Sequence, residues 1–538
     1  MPLLQTRSSS DLINNDIYYN DQQFLINGNF NVTTNSNEQQ HHRRQQSSSL
    51  QNQSSSSSWL FAQLDRKTLS IIYTVLLYYS FIAVGLCASI FNPTLLQLSH
   101  VFHTDLQTVS VIFPLRAIGC VVGTLTNGLL NSYFNRQILL VIFLILKALT
   151  TFLVPHWTEL KQFYVNAFFN GFFTAAVVVM VNVWINEMWS WSSRKSYRQN
   201  NHVDDDDGER RNDDDDDDNE KSRTIIWANV TMQALHFFFG FGTILGPLIA
   251  EPFLLNPFNG FDDRFVANNL VWPYTISAIL ALSSAATIFI MFILIPYDQS
   301  LSKKNQKSNQ NLLHEQESDD QQQLQQQRNE RLFRYSVVTL AALFLAMYSF
   351  SESTYLQFSA SFCSKIKLKL TQSQSALVSS SLAISFTAFR GVSAFVALKL
   401  TPIKMIIIDF ITITIGNLFV YFLADTKIIG LIVGYILLGA GFSSVVPSLF
   451  PLLEQRGYTV TDWIGSIITF SGGVAQVLAP FVIGIWIDHI PYILVYFTFL
   501  SIITATLMFM IMFLLMKFDQ KQRQQQQQNQ QQQQHQQQ

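Results

Sequence analysis

The chain is poor in charge. Of its 538 residues only 13% are Asp, Glu, Lys or Arg, against roughly 25% in soluble domains. With a net charge of −2 it has no basic field to draw a nucleic acid. Cysteine is scarce: Cys87, Cys120 and Cys363 form no CxxC pair, so neither a disulfide framework nor a cysteine metal centre is expected. Cys87 and Cys120 fall in apolar runs, where a thiol packs as a small hydrophobe, and Cys363 falls in a loop. The residues up to Ser58 hold no apolar core of signal-peptide length, which leaves the first membrane helix as the first insertion signal. No GxSxG elbow, HExxH pair or GxxxxGK[ST] loop occurs, so the chain is not expected to be an enzyme, and no cofactor or resident metal is expected.

What the chain has instead is apolar length. It is 49% hydrophobic with 45 Phe, gathered into twelve segments long enough to cross a bilayer. These run near Leu69–Leu98, Leu106–Leu130, Ile138–Val154, Gln162–Met188, Thr224–Ala250 and Trp272–Ile295 in the first half. In the second half they run near Tyr335–Phe358, Gln374–Leu398, Ile403–Ala424, Ile428–Leu453, Trp463–Ile487 and Tyr492–Met516. The expected fold is an all-α integral membrane protein of two pseudo-symmetric six-helix bundles, the plan of a secondary transporter. The expected divisions are a Ser/Asn/Gln-rich disordered tail over 1–66, a first half over 67–296, a polar linker over 297–334, a second half over 335–517 and a Gln-rich disordered tail over 518–538. An acidic insertion over 190–223 holds Asp204–Asp207 and Asp213–Asp218. It lacks the spaced ligands and turn-forming Gly of a calcium loop, and reads as a solvated segment.

Lys and Arg concentrate in the loops on the side of the two chain ends. That places both termini in the cytosol by the positive-inside rule, with Lys365, Lys367 and Lys369 against the trend. The halves also repeat one another. Arg116 opens Arg-Ala-Ile-Gly-Cys-Val-Val-Gly in the second helix, and Arg390 opens Arg-Gly-Val-Ser-Ala-Phe-Val-Ala in the eighth. Gly240, Gly242, Gly246 and Pro247 of the fifth helix are spaced as Gly473, Ala475, Ala479 and Pro480 of the eleventh. Small residues at such positions let helices approach closely, and paired halves of this kind rock about a central site.

The segment MQALHFFFGFGTILGPLIAEPFL, from Met232 to Leu254, resembles the sodium-dependent glucose transporter-like branch of the major facilitator superfamily. NPTLLQL after Phe91, PLRAIGCVVGT from Pro114 and NVWINEMW from Asn182 are similar to the same branch. So are Glu352 in the seventh helix, AFRGVSAFVAL from Ala388 and GAGFSSVVPSLFPLLEQ from Gly439. The resemblance implies a carrier of a hexose or similar small polar solute, with Na⁺ as the co-transported ion and the plasma membrane as its location. A monomer in the lipid bilayer suffices for such a carrier. The chain departs from the pattern between helices two and three, where Gly128 to Arg136 keeps the first glycine and one arginine. It departs again at Val178, where the branch has an aspartate. The alternative function is a transporter-like sugar sensor without net flux.

A sugar site needs amides, carboxylates or imidazole beside an aromatic face, and polar groups inside membrane helices point to function. Asn182 and Asn186 share one helix face, as do Gln233 and His236, and Gln476 lies in the matching region of the eleventh helix. These five are the candidate substrate residues; interhelical hydrogen bonding is the alternative for each, and His236 can also serve as a proton relay. Glu352 is the candidate for cation coupling, its alternative being a salt bridge to Arg116 or another basic group. Arg116, Arg390, Pro247 and Pro480 are assigned gating or structural roles. Glu454 and Glu251 end helices as gate or solvent residues, and Asp409 stays ambiguous.

Overall fold

The computed structural model describes residues 66–189, 213–254, 263–295, 321–368, 370–487 and 489–537. The tail expected over 1–66, save Arg66, and most of the acidic insertion and linker lie outside them. Among the described residues twelve helices are long and apolar enough to cross a membrane. They are α1 (Thr68–Val101), α2 (Thr108–Asn131), α3 (Arg136–His156), α4 (Leu160–Met188), α5 (Ile226–Phe253), α6 (Asn268–Leu294), α7 (Arg331–Lys365), α8 (Leu377–Val396), α9 (Pro402–Leu423), α10 (Ile428–Gln455), α11 (Asp462–Trp486) and α12 (Ile493–Gln525). Helix is the form that satisfies every backbone polar group within one segment in lipid.

Local chemistry sets where the helices start and break. Asp105, Asn135, Thr371 and Thr461 each accept a backbone N–H from the first turn of the following helix, as N-caps do. α1, α2 and α10 break and resume as α-helix, at Ile90, at Val111 and at Ser443–Ser444. Each interruption lies three or four residues ahead of a proline: Pro93, Pro114 and Pro447. A proline lacks the N–H that would bond the carbonyl four residues back, so the chain loosens there. Pro247 and Pro480 remain inside continuous helix.

Two expectations change. The Gln-rich tail, expected to be disordered from 518, continues the last helix to Gln537; Gln is a good helix former, and the apolar span has already nucleated the helix. Cys363 is in the last turns of α7 rather than in a loop, buried and 3.3 Å from the Tyr435 hydroxyl.

The helix pairing is duplicated. In the first half α1 packs on α5, α2 on α4 and α3 on α6; in the second, α7 packs on α11, α8 on α10 and α9 on α12. Glycine makes the tightest of these approaches. A Cβ on Gly171 would overlap the backbone of Arg116, and one on Gly242 would overlap that of Ile82. The halves meet along α2 with α11 and along α5 with α8, two crossings related by the same duplication, joined by α4 with α11 and α5 with α10. One apolar core runs through both halves, and exposed side chains such as Ile293, Phe422, Ile429 and Ile503 provide surface for lipid.

Candidate functional site

Charge inside the helices sits where the duplicated arginines put it. Arg390 of α8 reaches Glu352 of α7, with Nη2 3.7 Å from Oε1; both are buried, at 8% and 6% exposure. The guanidinium also lies 4.0 Å over the Phe386 ring, a cation–π contact. Glu352 therefore takes the salt-bridge partner that its alternative reading allowed, and that partner is Arg390, not Arg116. Arg116 of α2 lies 4.2 Å over the Phe91 ring and donates from Nη2 to the Ala88 carbonyl at 3.2 Å. Each arginine thus reaches from the second helix of its half toward the first, or stacks within reach of it.

The candidate polar ring divides. His236 is buried on α5 in an edge-type contact with Phe81, and its Nε2 has no partner among the described residues. Asn182 is buried on α4 with Oδ1 unpartnered. Both hold unused hydrogen-bonding capacity, which buried groups seldom retain unless something else fills it. Asn186 and Gln233 likewise leave Oδ1 and Oε1 without a partner among the described residues, but their amide nitrogens are committed. Asn186 donates to Glu454 of α10 at 3.4 Å, and Gln233 donates to the Ser448 hydroxyl at 2.9 Å and the Ser444 carbonyl at 3.3 Å. Each therefore ties the first half to the second. Gln476 is exposed on α11, and the structure does not gather it with the other four.

The residues that reading the sequence missed form a clamp at one end of the bundle. This is the terminal face, where α1 begins, α6 ends and α7 begins. Arg136, at the start of α3, donates from Nη1 to Glu187 of α4 at 2.7 Å and from Nη2 to Asp462 of α11 at 2.8 Å. Asn131 of α2 donates to the same Asp462 at 3.2 Å. Asp462 sits in the first turn of α11, where the helix dipole favours an anion. Glu454 accepts Asn186 and also the Val460 N–H at 2.8 Å, and Asn229 of α5 donates to the Met405 sulfur of α9 at 3.2 Å. Bidentate arginine between two carboxylates is among the stronger polar contacts a protein makes. The available signals were the lone arginine kept after Gly128 and the acid in NVWINEMW; nothing local to Asp462 announced its partner.

With that geometry in place, comparison with known proteins is informative. A family model described as the Major Facilitator Superfamily matches residues 77–197 and 231–457. Sodium-dependent glucose transporter 1A of Mus musculus is 24% identical over 440 residues, covering 77% of this chain and 89% of that protein. Major facilitator superfamily domain-containing protein 4A of Xenopus tropicalis is 22% identical over 469 residues, covering 76% and 85%. Among solved structures, the transporter FucP in the outward conformation superposes with a TM-score of 0.59 at 16% identity, over 84% of this chain and 99% of that one. The proton:xylose symporter XylE, bound to 6-bromo-6-deoxy-D-glucose, gives a TM-score of 0.60 at 13% identity, over 83% and 97%. At these identities the two structures share its fold.

Proposed function

Because the chain belongs to the Major Facilitator Superfamily, we propose that it carries a hexose or similar small polar solute across the plasma membrane by alternating access, with both termini cytosolic. The observation that carries the reading is the buried Glu352–Arg390 pair of the second half together with His236 and Asn182 of the first, whose Nε2 and Oδ1 have no partner among the described residues. Hydroxyl-rich solutes offer donors and acceptors to such groups, and Phe81, Phe386 and Phe237 supply the apolar faces that ring carbons cover. The relatives named sodium-dependent glucose transporter support a hexose, and Na⁺ as the co-transported ion. Glu352 is the coupling carboxylate. A cation bound to it competes with Arg390 and frees the guanidinium to move, which links ion binding to the α7–α8 packing.

The clamp is the gate of this cycle. Arg136 with Asp462, Asn186 with Glu454 and Gln233 with Ser448 all cross between the halves. They release together when the terminal face opens, because they lie on elements that move as two bodies. With the termini cytosolic, the structure is the state closed to the cytosol.

Uptake of labelled glucose into proteoliposomes, with and without an inward Na⁺ gradient, tests the proposal. Gradient-driven uptake that falls at least tenfold in Glu352→Gln is the expected result. Uptake indifferent to Na⁺ removes the coupling and keeps the carrier. No glucose flux from folded protein removes the hexose.

A further inference from the structure

A second buried carboxylate is left unused by that cycle. Asp409 lies two turns into α9 and is 7% exposed. Its oxygen Oδ2 accepts the Ser444 hydroxyl, and no basic side chain pairs with it among the described residues. An ionised carboxylate held so in hydrocarbon is costly unless a cation accompanies it. The titratable groups nearest to it are few. Tyr348 of α7 faces it, with its hydroxyl bonded to the Phe442 carbonyl at 2.5 Å. From α10 its carboxylate meets the Ser444 hydroxyl, and Met405, on the same face one turn earlier, meets the Asn229 amide of α5.

The backbone beside Asp409 is built for positive charge. The first part of α10, Ile428–Phe442, ends at Ser443–Ser444 before resuming as Val445–Gln455. The C-terminal end of a helix carries partial negative charge and unsatisfied carbonyls. Broken helices inside a membrane place such ends around Na⁺ or H⁺. Here that end meets a carboxylate through the Ser444 hydroxyl, while the Ser443 hydroxyl folds back on the Ala440 carbonyl of the same end. An anion beside a negative helix end is doubly unfavourable by itself, and one positive charge resolves both.

We infer that Asp409 and the break in α10 form a monovalent-cation site whose occupancy holds the two halves together at the terminal face. The link runs through one residue. Ser444 gives its hydroxyl to Asp409, while its carbonyl accepts Gln233 of the first half at 3.3 Å. Loss of the cation leaves Asp409 ionised and repels the negative end of α10. The shifted end carries the Ser444 carbonyl away from Gln233, while the Ser444 hydroxyl stays on the ionised carboxylate, a stronger acceptor. Met405, on the same α9 face, transmits the shift to Asn229 by a second route. The site is separate from Glu352 and does not depend on which solute is carried.

The test uses no sugar, so its result stands whether or not glucose is transported. Spin labels at Tyr133→Cys and Lys399→Cys occupy exposed positions at the terminal face, one on each half. Their distance is measured in full-length protein in lipid nanodiscs, in a Glu352→Gln background, at pH 6 and pH 9, with Na⁺ or with N-methylglucamine. Removing the cation should shift the close-to-separated ratio about 5–150-fold toward separation. A response to pH without Na⁺ identifies a proton, and a response to Na⁺ at fixed pH identifies sodium. Asp409→Asn, neutral under every condition, should stay close throughout, while Asp409→Glu keeps the response. A ratio indifferent to both cations, or an Asp409→Asn variant that still responds, overturns the site. Should Asp409→Asn fail to fold, Ser444→Ala must weaken the response at least fivefold, and an unchanged response there overturns it equally.

Discussion

In the first half the half-buried Arg116 and the buried Lys147 meet neutral groups: a ring and a carbonyl for Arg116, and the Asn170 side-chain oxygen at 2.6 Å for Lys147. In the second half Arg390 meets a carboxylate, and a further carboxylate, Asp409, meets a hydroxyl. Helix pairing is the same in both halves, so a shared scaffold carries two different charge patterns. Close packing through glycine and apolar faces defines the scaffold and tolerates little change. Buried charge is added on top of it, and each half has compensated it differently. The acids buried within the helices, Glu352 and Asp409, lie in the second half, while the first half contributes neutral amides and, at the terminal face, Glu187 with the arginine of the clamp.

The comparison breaks most sharply at Glu352. Arg390→Ala leaves that carboxylate buried without its partner and should cost about 3–5 kcal/mol of stability in detergent. Adding Glu352→Gln to it should restore much of the loss. Equal unfolding temperatures for the single and the double variant would show that the pair is not coupled. Arg116→Ala, which strands no opposite charge, should cost less than Arg390→Ala.

A smaller effect is expected at Lys147, whose ammonium is fully buried. Asn170→Leu removes its best acceptor and should cost about 1–3 kcal/mol. Lys147→Met in that variant should recover most of it, since Met fills similar volume without charge. The same unfolding measurement reads both, and a double variant no better than Asn170→Leu alone would refute the role given to Asn170.

The smallest effect lies outside the membrane, at the face opposite the clamp. Asp425 accepts the Lys367 backbone N–H at 3.0 Å, and the largely exposed Lys367 ammonium lies 3.3 Å from it. Burial alone would raise the Asp425 pKa, yet these hydrogen bonds and one from Tyr492 hold it below the usual aspartate value. A lowered folded value means that the contribution is complete above about pH 3.9, the unfolded value, and is lost as pH falls through the folded one. Asp425→Asn should cost below about 1 kcal/mol, seen as faster hydrogen exchange at Lys367. Slower or unchanged exchange would contradict it.

Some of the site was legible from residues alone. The position of Arg116 and Arg390 on matched helices announced the duplication, and Glu352 stood out as an acid in an apolar run. Asn186 and Gln233 were legible as polar groups facing inward, but their task was not. Glu454, Ser448 and Ser444, which they meet, lie in another half of the chain, and hydropathy carries no information on that pairing. Arg136 and Asp462 were missed for the same reason: at a helix end, a charged residue looks like any solvated one.

Composition and apolar length by themselves determined the twelve helices, the two halves and the bilayer, because the cost of an unbonded backbone in lipid leaves a single solution. Prolines accompany the breaks in α1, α2 and α10, yet Pro247 and Pro480 sit in unbroken helix, so packing decides which proline breaks its helix. Only the tertiary structure decided which cation Glu352 meets, that Arg136 closes the terminal face, and that Asp409 lies at a helix break. Those contacts depend on how rigid helices are set against each other, and electrostatic partners separated by 35 to 326 residues are fixed by packing alone.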